Sequence, residues 1–146
     1  MSGPDIVDSA KPKIGILVVE EERQIPPLLQ MGLEPHGFEV KSANNVRDGL
    51  QLLQSGKDDT AIILLGGSIL ISDPQGTLAS FRSLAPTVPL LVMTGDLGVH
   101  DVALFSQCGV LHVVEKPFRL GELIPLLKQV ASMGGTAHQD DSAPES

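Results

Sequence analysis

Ala61-Ile62-Ile63-Leu64-Leu65-Gly66-Gly67, near the middle of the chain, is the stretch whose reading settles the fold. Its apolar run stops abruptly at two glycines. A run this short, rich in isoleucine and leucine and bounded by turn residues, reads as a strand buried on both faces, as in the interior of a parallel sheet. It is too short for a buried helix. In open α/β sheets chemistry gathers just past the carboxyl ends of such strands. That position here is Gly66, which carries no side chain.

Working outward, the same pattern repeats. Lys13 to Val19 is a buried strand followed at once by Glu20, Glu21 and Glu22. Pro26-Pro27 suits only the first turn of a helix, along which Ile25, Leu28, Leu29 and Leu33 follow helical spacing up to His36-Gly37. Phe38 to Ser42 alternates apolar and charged residues and reads as an edge strand. Asn44 or Asn45 can cap a helix carrying Val46, Leu50 and Leu53, and Gly56 ends it. Beyond the central strand, 66–76 reads as a long loop, Thr77 to Leu84 as a short helix, and Val88 to Met93 as a strand ending at Thr94-Gly95. A weak helix over Val99 to Gln107 leads to a fifth strand, Val110 to Val114, which ends in Glu115-Lys116-Pro117-Phe118. Leu120 to Met133 is a final amphipathic helix, weakened by Gly121 and Pro125. Strands alternating with helices imply an α/β domain: one doubly wound, five-stranded parallel sheet with helices on both faces. The expected domain covers 13–133, with a flexible arm over 1–12 and a disordered acidic tail over 134–146.

With 146 residues and 42% apolar content, the chain has the size and composition of one globular domain with a full core. Its net charge of −8 is partly terminal, since Asp5, Asp8, Asp140, Asp141 and Glu145 face only Lys11 in those segments. No basic stripe supports direct nucleic-acid binding. No apolar run approaches the roughly 20 residues of a membrane helix, and the first residues lack a signal peptide's pattern. A single cysteine, Cys108, excludes an internal disulfide and fits a reducing compartment, so a cytoplasmic protein is expected. His36, His100, His112 and His138 lack metal-ligand spacing. No phosphate-cradling glycine loop follows the first strand, and no nucleophile has a paired base, so an enzyme is not expected.

The strand ends bring Glu20, Glu21, Gly66, Thr94 and Lys116 to one edge. Ile16-Leu17-Val18-Val19-Glu20-Glu21-Glu22, the strand into Gly66, Met93-Thr94-Gly95 and Glu115-Lys116-Pro117-Phe118 together resemble the receiver domains of bacterial two-component response regulators. The resemblance covers 13–133 and implies a flavodoxin-like sheet of strand order 2-1-3-4-5. In that family an Asp at the end of the third strand accepts a phosphoryl group from a histidine kinase. Acids after the first strand help hold Mg²⁺, and a Thr and a Lys contact the phosphoryl oxygens. Carried over, these positions are Glu20 and Glu21, Thr94, Lys116 and, for the acceptor, Gly66. Val113 stands where the family usually has an aromatic residue that moves on phosphorylation.

An acyl phosphate needs a carboxylate oxygen as nucleophile, and glycine offers none. Mg²⁺ demands octahedral geometry at about 2.0–2.1 Å, so with one ligand missing and glutamates in place of aspartates, Glu20 and Glu21 are weak metal candidates and no cofactor is expected. The resulting expectation is a stand-alone pseudo-receiver: a phosphorylation-independent interaction module whose partner is a histidine kinase, an output protein or another regulator. Its expected contact patch, also the surface for a homodimer, is the fourth helix, fifth strand and fifth helix, with Val99, Phe105, Val113 and Leu126. One alternative is phosphorylation at a non-standard acceptor such as Asp73. Another is a sensor of small anionic ligands, using the space beside Gly66. The plainer roles are an ion pair of Lys116 with Glu20 or Glu21, a strand-end hydrogen bond at Thr94, and a turn at Gly66-Gly67.

Overall fold

The computed structural model describes residues 13–95 and 102–140; the expected arm over 1–12, Val99 and the end of the tail over 141–146 lie outside these. The described elements, in chain order, are β1 (Ile14–Val19), α1 (Ile25–Leu33), β2 (Phe38–Ala43), α2 (Val46–Gly56), β3 (Ile62–Gly66), α3 (Pro74–Leu84), β4 (Leu90–Thr94), α4 (Val102–Gln107), β5 (Val110–Glu115) and α5 (Leu120–Asp140). Short 3₁₀ turns occupy Glu34–His36, Lys57–Asp59 and Gly67–Leu70.

All neighbouring strands are parallel, in the order β2-β1-β3-β4-β5, as the resemblance implied. The stretch that opened the reading, β3, lies at the centre, and every one of its residues is buried. Side-chain alternation then divides the interior in two. Leu17, Val19, Ile63, Leu65, Leu90 and Val92 pack under α2, α3 and α4 with Leu53, Leu78, Phe81 and Phe105. Ile16, Val18, Ile62, Leu64, Leu91 and Met93 pack under α1 and α5 with Leu29, Leu33, Leu123, Leu127 and Val130. A strand with aliphatic residues on both faces fits only between two layers of helix, and each such side chain contributes about 1.5–3 kcal/mol on burial.

The turns follow their residues. Asn45 is the cap of α2: its side chain accepts the Asp48 N–H at 2.8 Å, and Asn44 plays no such part. Gly37 closes the first helical segment with φ of 94°, a conformation that glycine adopts without steric cost. Helix α3 begins at Pro74, three residues before the expected Thr77, because the Asp73 side chain accepts the Gly76 N–H at 3.0 Å and Pro74 fills the first position. Helix α5 runs through Pro125 to Asp140, beyond the expected stop at Met133. Gly134 and Gly135 cost about 1 kcal/mol each relative to alanine without forbidding helix, and the next proline is Pro144. The described residues contain no helix long and apolar enough to cross a membrane.

Helix α1 departs from its expected stripe. Leu29 and Leu33 are buried, whereas Leu28 is 47% and Met31 77% exposed. These two lie three residues apart and share an outward face. Replacing the central Leu64 by alanine is expected to lower stability by about 3–5 kcal/mol, whereas Met31→Gln should change it by no more than about 0.5 kcal/mol. Urea denaturation of both variants measures the difference.

Candidate functional site

Parallel strands deliver their carboxyl ends to one edge, and four of them build the site. Glu20 follows β1 directly, and its N–H is held by the Ala43 carbonyl at the end of β2, at 2.9 Å. Gly66 ends β3, Thr94 ends β4, and Lys116 follows β5, where its N–H donates to the Thr94 carbonyl at 2.8 Å. Thr94 is buried. The Lys116-Pro117 peptide is cis.

Glu20 is completely buried although it is a glutamate. Lys116 Nζ donates to its Oε1 at 2.9 Å, and the Glu22 N–H donates to its Oε2 at 3.0 Å. Lys116 also reaches Glu22 Oε1 at 2.7 Å. The expected ion pair therefore exists, but its second carboxylate is Glu22. Glu21 is exposed and points along the rim, because the Glu22 N–H bond to Glu20 turns the chain between them. Burial pulls the Lys116 pKa down, but the hydrogen bonds to Glu22 and Glu20, with their negative charges, outweigh it and leave the pKa raised above its ordinary value.

Gly66 has φ of −72° and ψ of 139°, ordinary extended backbone open to any residue. What requires glycine is space. A Cβ there would lie 2.7 Å from Glu20 Cδ and 2.9 Å from Oε2, closer than real carbons approach. The volume directly against Gly66 is taken by the carboxylate of Glu20. Oxygen donors for a divalent cation do not assemble here. Both Glu20 oxygens are engaged, position 66 supplies none, and the described residues include no group of three His, Cys, Asp or Glu side chains placed to hold an ion. These residues do not fit Mg²⁺.

Above this floor lies a cleft of about 640 Å³, with Glu21, Glu22, Thr94 and Lys116 on its polar side and Ile25, Leu28, Ile71, Met93 and Phe118 on its apolar side. The exposed Leu28 and Ile71 were not anticipated as site residues. Helical spacing alone placed Leu28 with the buried residues of α1, and Ile71 lies just past the 3₁₀ turn that follows β3. Asp73, the alternative acceptor, does not line the cleft and uses its carboxylate to cap α3.

The expected partner patch comes together only in part. Phe105 is 1% exposed and belongs to the core under α4, because the short helix turns it inward. Val113 and Leu126 are half-buried and line one groove of about 470 Å³ between β5 and α5. Val99 lies outside the described residues.

Comparison with solved structures places this architecture. A signal receiver domain of an HD domain-containing protein from Pseudomonas fluorescens superposes with a TM-score of 0.77 at 22% identity, over 88% of this chain and 94% of that one. This is the receiver fold. Among curated proteins, one described as a probable transcriptional regulatory protein of a Picosynechococcus species is 36% identical over 117 residues, which is 77% of this chain and 47% of that protein. The transcriptional regulatory protein PcoR of Escherichia coli is 30% identical over 125 residues, 83% of this chain and 54% of that protein. The chain thus spans about half the length of these relatives. No protein-family model matches it.

Removing Lys116 leaves Glu20 buried and uncompensated, which costs far more than losing a surface pair. Lys116→Met is expected to destabilise the protein by about 3–5 kcal/mol, and Glu22→Gln, at a side chain that is half exposed, by no more than about 1 kcal/mol. The pH dependence lies on the alkaline side. A lysine whose pKa is higher folded than unfolded contributes its full stability below the unfolded value of about 10.4. That contribution is lost as pH rises through the folded value. Urea midpoints measured from pH 8 to 11 should fall steeply only above about pH 10, and in Lys116→Met this alkaline fall should be reduced.

Proposed function

We propose that this domain is a pseudo-receiver, a receiver fold that works in two-component signalling as a phosphorylation-independent protein-interaction module. The observation that carries the reading is the pairing of Gly66 with Glu20. The place of an acceptor side chain holds the carboxylate of another residue, and that carboxylate is committed to Lys116. In-line phosphoryl transfer requires a free oxygen nucleophile at the strand end with a cation beside it. Neither requirement is met by Gly66 or by a carboxylate locked against an ammonium group. Mg²⁺ is accordingly expected to bind weakly or not at all.

In this reading the partner is a protein of the same signalling class: a histidine kinase, an output protein or another regulator. Support for a protein partner comes from the exposed apolar residues that border the cleft, Leu28 and Ile71, and from the groove shared by Val113 and Leu126. That groove is also the proposed site for a second copy of the chain. In this reading Asp73 does not serve as acceptor, since its carboxylate caps the start of α3 and stands outside the cleft.

The test uses a small phosphodonor with Mg²⁺. After incubation with acetyl phosphate and millimolar Mg²⁺, the intact mass is expected to stay unchanged, and backbone amide resonances of Glu20, Gly66, Thr94 and Lys116 to keep their positions. A gain of one phosphate, or shifts clustered at these strand ends, would overturn the reading.

A further inference from the structure

We infer that Glu20 is a tethered occupant of the strand-end site, a carboxylate that Gly66 admits and that keeps Lys116 from any free oxyanion. The inference rests on the reading of this edge as a degenerate phosphoryl site, and it names the group that closes it. The device is an autoinhibitory contact built from two residues 46 positions apart in the chain.

Volume is the first support. Position 66 needs no special backbone angle, and the atoms nearest to a Cβ built there all belong to the carboxylate of Glu20. Reach is the second. Glutamate is longer than aspartate by one methylene, about 1.5 Å of bond, and this length carries the Glu20 carboxylate across from β1 to lie over β3 while it contacts the ammonium beyond β5. Charge is the third. The ammonium of Lys116 already has two carboxylate partners, so a phosphate or sulfate ion approaching it meets an excess of negative charge, with Glu21 added at the rim. Glu20 also cannot swing out cheaply, because its second oxygen accepts the Glu22 N–H and its side chain is wholly covered.

Two groups that share one volume cannot be substituted additively. In the full chain, Gly66→Ala should lower the urea midpoint, because its Cβ displaces the Glu20 carboxylate from Lys116. In a Glu20→Ala background the same Gly66→Ala change should leave the midpoint where it was. Glu20→Asp, which keeps the charge but withdraws it by one methylene, should shrink the Gly66→Ala penalty and gives the answer if Glu20→Ala does not fold. Inorganic phosphate supplies an independent measurement. Added at millimolar concentration, it should move the amide resonances of Thr94, Gly95 and Lys116 in the Glu20-substituted chain, leave the native chain unmoved, and lose its effect when Lys116→Met is added. An equal midpoint shift in both backgrounds, or the same phosphate response with and without Glu20, would overturn the inference. Covalent phosphorylation of the native chain would instead strike at the function proposed above, and the cycle at 20 and 66 would still report on the contact.

Discussion

The contact between Lys116 and Glu20 spans the sheet and joins residues 96 positions apart. Everything at the functional edge depends on it. A fully buried carboxylate is tolerable only with a cation and further hydrogen bonds in place. Lys116 supplies the cation, and the Glu22 N–H supplies the remaining bond. The loops after β1 and β5 are thereby set relative to each other, and with them the walls of the cleft. The same contact engages the ammonium of Lys116 and both oxygens of Glu20.

Parallel topology makes such a contact possible. Strands that all run the same way place Glu20, Gly66, Thr94 and Lys116 on one edge however far apart they lie in sequence. Burial of β3 on both faces fixes the floor, and helices on either side hold the strands in register. The edge can therefore be rebuilt by changes in a few terminal residues while the sheet beneath keeps its packing. The receiver fold is retained here with an altered set of groups at its strand ends.

Much of this was legible from residue patterns. Runs of aliphatic residues ending in glycine, threonine or acid gave the strands, and their alternation with helical spacing gave the layers. Boundaries were less legible where a side chain caps a helix from outside the periodic stretch, as Asp73 does for α3. At the site, the participating strand ends could be read, but the way the acids divide their work could not. Three consecutive glutamates look alike in sequence. Only the chain path after β1 buries Glu20, returns Glu22 to Lys116 and leaves Glu21 on the rim. Phe105 shows the same limit, since the phase of a helix as short as α4 is poorly determined by so few residues.

The match between Gly66 and Glu20 also bears on the substitutions open to this domain. A larger side chain at position 66 while Glu20 remains would meet that buried carboxylate. Shortening residue 20 would relieve that conflict and at the same time withdraw a carboxylate from Lys116. Positions 20 and 66 are coupled through one shared volume, so the size of the residue at either sets the room left to the other.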